Sequence, residues 1–290
     1  MERAITGSVR LFCDSRSTIS ESIVWDPERS LLWFTDIGLG VLHATDSAGT
    51  IAGSSPLPPP LASFQPRAAG GFVAALQDRV ILTDAAGAMV ETIATIEHAA
   101  PGMRLNEGKC DPFGRFVVGS MVIDKEAPNA ALYAVEPDGA VRVLRGGFGI
   151  TNGFEWSDDG ATMYVTDTET STIYRADYGP DGDLGELEPF ITAGKHDGLA
   201  RDDEGCFWSA INGGSRVERF GPDGSHLETV EVPVSGVTSV AFGGDDMSTL
   251  FIGSSRENLT EEHLERHPTA GSVYAVPTRV HGRPAFRFAA

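Results

Sequence analysis

The chain has 290 residues and 30.8 kDa, with 41% hydrophobic residues, 34 glycines and 17 prolines, which excludes a disordered chain and fits a globular protein rich in turns. Its 22 basic and 41 acidic residues leave a formal net charge of −19, which argues against nucleic acid and anionic membranes as partners. No stretch approaches the roughly 20 apolar residues of a membrane span, the N-terminus lacks a basic start followed by an apolar run, and Cys13, Cys110 and Cys206 form no C-x-x-C pair; the expectation is a soluble cytoplasmic protein with structural thiols.

Along the chain, one short phrase returns: WDPERSLLWFTD from Trp25, a weaker RAAGGFVAAL from Arg67, CDPFGRFVVGS from Cys110, WSDDGATMYVTD from Trp156, RDDEGCFWSA from Arg201 and FGGDDMSTLFIGS from Phe242. Each copy is a turn cluster followed by a strand-like run, and the copies start 42, 43, 46, 45 and 41 residues apart. Units of that length hold four short strands and their turns. The predicted architecture is therefore all-β, a six-bladed β-propeller with four-stranded blades and a single domain over residues 1–290. The strand around Ile5 to Phe12 is expected to close the last blade near Gly271 to Val276, removing an exposed sheet edge. SSPLPPPL, residues 54–61, reads as a rigid surface excursion, and ENLTEEHLERH, residues 257–267, as a surface loop or single turn.

Four residues before each phrase start stand Glu21, Ser63, Asn106, Asn152, Asp197 and Thr238, with one residue of slack that allows Phe64 in the second copy. Equivalent positions on the first strands of propeller blades face a common channel. Two carboxylates and two amides at such positions ask for a partner, because buried charge is costly unless paired. Their oxygen donors, with no imidazole or thiolate among them, suit Ca²⁺, Mg²⁺ or Mn²⁺ better than Zn²⁺. A wet channel in which the same groups bond neighbouring loops is the alternative.

Together, ESIVW, RLNEGKCDPFGR, GITNGFEWS, HDGLARDDEGCFW and INGGSRV resemble the regucalcin/gluconolactonase family, which includes the luciferin-regenerating enzyme, over about Glu21 to Gly253. The resemblance implies a six-bladed propeller that holds one divalent cation, Ca²⁺ foremost with Zn²⁺, Mg²⁺ or Mn²⁺ compatible, and hydrolyses sugar lactones. It places the metal ligands on Glu21, Asn152 and Asp197, and the substrate contacts on Arg104, Asn106 and Asp124. The chain departs from the family pattern at Ile23, at Glu107 where Asp is common, and at His196 where proline usually precedes the aspartate.

A cation held with open positions would polarise a lactone carbonyl, with Asp197 as general base and Arg104, Asn106 and Asp124 orienting the sugar. The implied partner is a small-molecule lactone, and the chain a monomer or small homo-oligomer. Two rival readings are a non-catalytic divalent-cation-binding regulatory protein and a hydrolase of another ester or phosphoester on the same scaffold. A guanidinium at Arg104 beside the ring favours catalysis, since a site that only binds a cation gains nothing from a nearby positive charge. DYGPDGDLGELE, residues 177–188, reads as a hairpin turn rather than a Ca²⁺ loop because Gly179 takes a ligand position. Glu107 and Lys109 are expected to pair in a loop, and Trp25 and Trp156 to pack between blades.

Overall fold

The computed structural model describes residues 2–123 and 128–290. It contains six four-stranded antiparallel sheets, the blades of a six-bladed β-propeller. The first sheet runs through Ser20–Asp26, Leu31–Asp36, Val41–Thr45 and Ile51–Pro56. The second, third and fourth begin with Ser63–Pro66, Met103–Cys110 and Thr151–Trp156, and the fifth with His196–Arg201. The sixth takes Val237–Gly243, Thr249–Ser254 and Val273–Pro277 from the C-terminal region and its outermost strand, Arg10–Cys13, from the N-terminus.

The repeated phrase is legible because its turn is chemically specified. Asp26 accepts from the amides of Glu28 and Arg29, Asp111 from those of Phe113 and Arg115, and Asp202 from those of Glu204 and Cys206. A short carboxylate that bonds the backbone two to four residues on nucleates the turn between the first two strands of its blade. In two blades the second oxygen of that aspartate is buried against a cation. Asp111 Oδ2 accepts from Arg115 Nε and Tyr178 Oη, both at 2.7 Å, and Asp202 Oδ2 accepts from Arg219 Nη2 at 2.7 Å and Trp208 Nε1 at 2.9 Å.

Two compact units divide the chain, residues 1–54 with 197–284 and residues 55–196 with 285–290, the boundaries falling inside the strands Ile51–Pro56 and His196–Arg201. In the first unit, Trp25 stacks on Phe251 with centroids 6.1 Å apart, within a cluster that includes Phe12, Ile23, Leu32 and Phe34. A second cluster gathers Trp208, Val217, Val240, Leu250 and Tyr274. In the second unit, Trp156 packs near Tyr178 at 6.1 Å, among Val117, Leu132, Phe154 and Met163. Its other core cluster includes Phe288, whose backbone bonds Pro66 and Ala68 and so ties the C-terminal tail to the second blade. Trp25 and Trp156 are thus core residues, as expected of a shared blade position.

Closure of the sixth blade pairs Arg10 with Ala275, Leu11 with Tyr274 and Cys13 with Val273, and Ile5 bridges Thr278. Pairing the last outer strand with a segment from the other end of the chain covers that edge, as expected, with a register shift between Leu11 and Cys13. The thiols of Cys13, Cys110 and Cys206 are buried, and burial raises the pKa of each, to about 11 for Cys13 and Cys206. No helix among the described residues is long and apolar enough to cross a membrane.

Two expectations need correction. Glu261–Arg266 forms a short α-helix, somewhat more than the single turn and not the loop that were the two expectations, because Thr260 caps it through a bond from the His263 amide, Glu261 and Glu262 sit in the first turn, and Leu259 and Leu264 pack on the core. Glu107 and Lys109 lie in the strand Met103–Cys110, where Lys109 Nζ donates to Glu155 Oε1 at 2.7 Å and Glu107 Oε2 accepts from the Gly153 amide at 2.9 Å. Strand pairing overrides the polar local sequence there, and both side chains reach across to the neighbouring blade rather than pairing in a loop.

Candidate functional site

Each of the six repeat-equivalent positions lies on the first strand of its sheet. Glu21, Ser63, Asn106, Asn152, Asp197 and Thr238 are all buried, between 0% and 8% exposed. The slack in the second blade resolves in favour of Ser63, whose hydroxyl donates to Asn106 O at 2.9 Å, while Phe64 packs edge-on against Phe72 in the core.

Local backbone irregularity accompanies these positions. The register of the first strand against the second shifts between Glu21 and Val24, between Leu105 and Gly108, between Asn152 and Phe154, and between Val237 and Ser239. A bulge breaks the two-residue alternation of a strand, so a polar side chain and a nearby apolar one can serve different faces. At Glu21 the bulge is strained: the following Ser22 sits at φ 53°, a left-handed conformation uncommon for a residue with a Cβ. In this first unit Thr35 Oγ1 donates to the Glu21 carbonyl and Thr238 Oγ1 to that of Ser20, at 3.2 and 2.8 Å, fixing the strand on which Glu21 stands. Asp197 belongs to the same unit, and its Oδ2 accepts from Asn212 Nδ2 at 2.8 Å.

In the second unit the remaining side chains form one directed chain. Arg104 Nη1 donates to Leu105 O at 2.9 Å and to Asn106 Oδ1 at 2.7 Å. Asn106 Nδ2 donates to Thr151 O and to Asn152 Oδ1, at 2.9 and 2.8 Å. Asn152 Nδ2 donates to Thr168 Oγ1 at 2.9 Å, and Thr168 Oγ1 donates to the His196 carbonyl at 2.5 Å. Arg104 only donates and the three backbone carbonyls only accept, so the direction of every bond and the orientation of both amides follow. Asn152 Oδ1 thereby keeps one lone pair for another partner. Behind Asn106, burial raises the Glu107 carboxyl pKa, opposed by the nearby Lys109 charge and the Gly153 amide.

The structure brings the expected substrate contacts Arg104 and Asn106 into one bonded network with Asn152, and places Glu21 and Asp197 as buried carboxylates of the first unit. Asp124 lies outside the described residues. His196 is fully buried, with its carbonyl engaged by Thr168. Thr168 and Asn212 were missed. Both stand just past the end of the second strand of their blades, Thr162–Asp167 and Phe207–Ile211, and the signal was at hand in the INGG phrase and in the threonines of TDTET.

As donors, these groups fit a hard divalent cation: the set offers carboxylate and amide oxygens, and Asn152 is held with its oxygen partly free. Among the described residues no three His, Cys, Asp or Glu side chains cluster as a metal site, so a centre here depends on an amide ligand.

The family model of the SMP-30/gluconolactonase/LRE-like region matches residues 19–256. The chain belongs to that family. Among its relatives, a 6-deoxy-6-sulfogluconolactonase from Pseudomonas putida is 36% identical over 271 residues, covering 92% of this chain and 93% of the relative. An L-arabinolactonase from Azospirillum brasilense is 31% identical, covering 98% and 96%. The crystal structure of a calcium-binding regucalcin from Agrobacterium tumefaciens superposes with a TM-score of 0.91 at 28% identity, covering 99% of this chain and 98% of that one. The six-bladed fold is therefore shared by a member of the same family that is described as calcium-binding.

Proposed function

We propose that the protein is a divalent-metal-dependent hydrolase that opens sugar lactones to aldonic acids. The observation that carries the reading is the bonded sequence Arg104–Asn106–Asn152, in which groups suited to a sugar oxygen touch a group suited to a cation. The lactonase names of two relatives support the reaction class, and the calcium-binding relative supports the cation.

In this reading Glu21, Asn152 and Asp197 hold one cation, with Ca²⁺ foremost and Zn²⁺, Mg²⁺ or Mn²⁺ as alternatives. When bound, it supplies Lewis-acid polarisation of the ring carbonyl. Asp197 takes the proton from the attacking water, and the bond from Asn212 Nδ2 to its Oδ2 orients the carboxylate. Arg104, anchored on Leu105 O and Asn106 Oδ1, supplies a planar guanidinium of the kind that binds sugar hydroxyls or the carbonyl. Asn106 and Asp124 complete the grip on the sugar. Such positioning raises the effective concentration of water and lactone in a reactive orientation.

A non-catalytic cation binder would have no use for Arg104 in the ligand network, where its charge opposes the cation. The test is acid release from a panel of aldonolactones by metal-stripped protein, with Ca²⁺, Mg²⁺, Mn²⁺ or Zn²⁺ added back. Metal-dependent hydrolysis above the spontaneous rate is expected; tight cation binding without hydrolysis of any lactone would overturn the catalytic reading.

A further inference from the structure

The side chain of Thr168 is not among the groups to which the proposed chemistry gives a task, yet it is the last link of the network. We propose that its hydroxyl is a positioning group for the cation site, locking the Asn152 amide so that Oδ1 remains the ligand atom, and that it does so by coupling that amide to the backbone just before Asp197. This rests on the reading of Asn152 as a ligand.

The lock follows from donor and acceptor inventories. The His196 carbonyl accepts only, so the Thr168 hydroxyl spends its single proton there, at 2.5 Å. What the hydroxyl offers Asn152 is therefore a lone pair, and only Nδ2 answers it, at 2.9 Å. At the other end of the same amide, Asn106 Nδ2 offers a proton, and only Oδ1 answers it, at 2.8 Å. A reversed Asn152 amide would oppose two donors at one end and two acceptors at the other. Neither lock is redundant: Asn106 fixes the oxygen end, and Thr168 fixes the nitrogen end together with the side-chain rotation.

Thr168 is itself held by its surroundings. Its amide donates to Ile150 O at 3.0 Å, and the preceding Asp167 carboxylate accepts from the amides of Gly149, Ile150 and Glu169. The hydroxyl thus stands on a fixed turn beyond the second strand of the fourth blade. From there it reaches the peptide that links His196 to Asp197, the proposed base. One proton and one lone pair orient a neutral ligand and the peptide that precedes a charged one.

The experiment compares Thr168→Val, which keeps shape and removes the hydroxyl, with Thr168→Ser, which keeps the hydroxyl, and with Asn152→Ala. Ca²⁺ is titrated into metal-stripped full-length protein by calorimetry, and the Asn152 side-chain amide is followed by NMR in asparagine-labelled protein. Thr168→Val is expected to weaken Ca²⁺ binding about 10- to 100-fold, the usual cost of removing a group that orients a ligand, and to shift and broaden the Asn152 amide resonances. Thr168→Ser is expected to bind within about threefold of wild type by the same principle. Wild-type affinity in Thr168→Val with a defect in Asn152→Ala overturns the positioning role and spares the ligand reading; wild-type affinity in both overturns both. Equal losses in the Val and Ser variants also overturn it, since the hydroxyl would then not be the cause.

Discussion

Replacing Asn106 by alanine removes the central link of the network, and its cost follows from the partners left behind. The side chain, 3% exposed, accepts one bond from Arg104 and gives one each to Thr151 O and Asn152 Oδ1. Arg104 Nη1 keeps Leu105 O, so the cation is not stranded. Thr151 is fully buried and Asn152 is 4% exposed, so two acceptors lose their donor out of reach of bulk water. Each such loss costs about 1–3 kcal/mol, and entry of a water into the vacated space pulls the total toward about 2–4 kcal/mol. With an unfolding entropy of about 2.1 cal/mol/K per residue, the 290-residue chain should melt about 3–6 °C lower in calorimetry of the metal-stripped protein. Because Arg104 loses one of its anchors and Asn152 one of its two locks, kcat/KM on the best lactone should fall about 100-fold, the scale of a small misplacement of a positioning group. A variant that melts within about 1 °C of wild type, well short of the shift this entropy implies, and retains its kcat/KM would refute the network argument.

Three further outcomes follow from the same structure. Asp197→Asn, folded and saturated with cation, should lose about 100-fold or more of kcat, as expected when a general base is removed; a wild-type rate in stopped-flow acid release would exclude Asp197 as the base. Gly119→Ala should be destabilising and weaken Ca²⁺ binding in calorimetric titration, because its Cβ would lie 1.8 Å from Thr151 Oγ1, one residue from Asn152; an unchanged melting point and affinity would contradict this. For acid stability, hydrogen bonds from Arg279 and then Arg219 hold the Glu204 carboxyl down at about 2. A depressed carboxylate pKa gives stability that is present above the unfolded value of about 4.3 and lost as pH falls toward the folded one. Wild type should therefore lose more thermal stability than Glu204→Gln between pH 5 and pH 2.5, measured by circular dichroism, and parallel curves would refute the assignment.

What the sequence made legible, and what it hid, divides along a physical line. The blade count was readable because the aspartates of WDPERS, CDPFGR and RDDEGC each bond their own turn, a local interaction that leaves a local mark. The buried polar positions were readable because Glu21, Asn106, Asn152 and Asp197 each lie on the first strand of a blade at a fixed offset from the turn that follows it. The bulges were not readable. Nothing in ESIVW signals that Ser22 adopts φ 53°, since that strain is imposed by packing of the first strand against its neighbours, not by the residue's own preference. Thr168 and Asn212 escaped for a related reason. They begin the connection after the second strand, past the end of the repeated phrase, so reading back from each phrase start to the first strand does not reach them, although each bonds a residue that the count does find. On the proposed reading, a substitution at Thr168, outside the repeated phrase, would change the orientation of Asn152 while leaving every recognisable motif of the family intact.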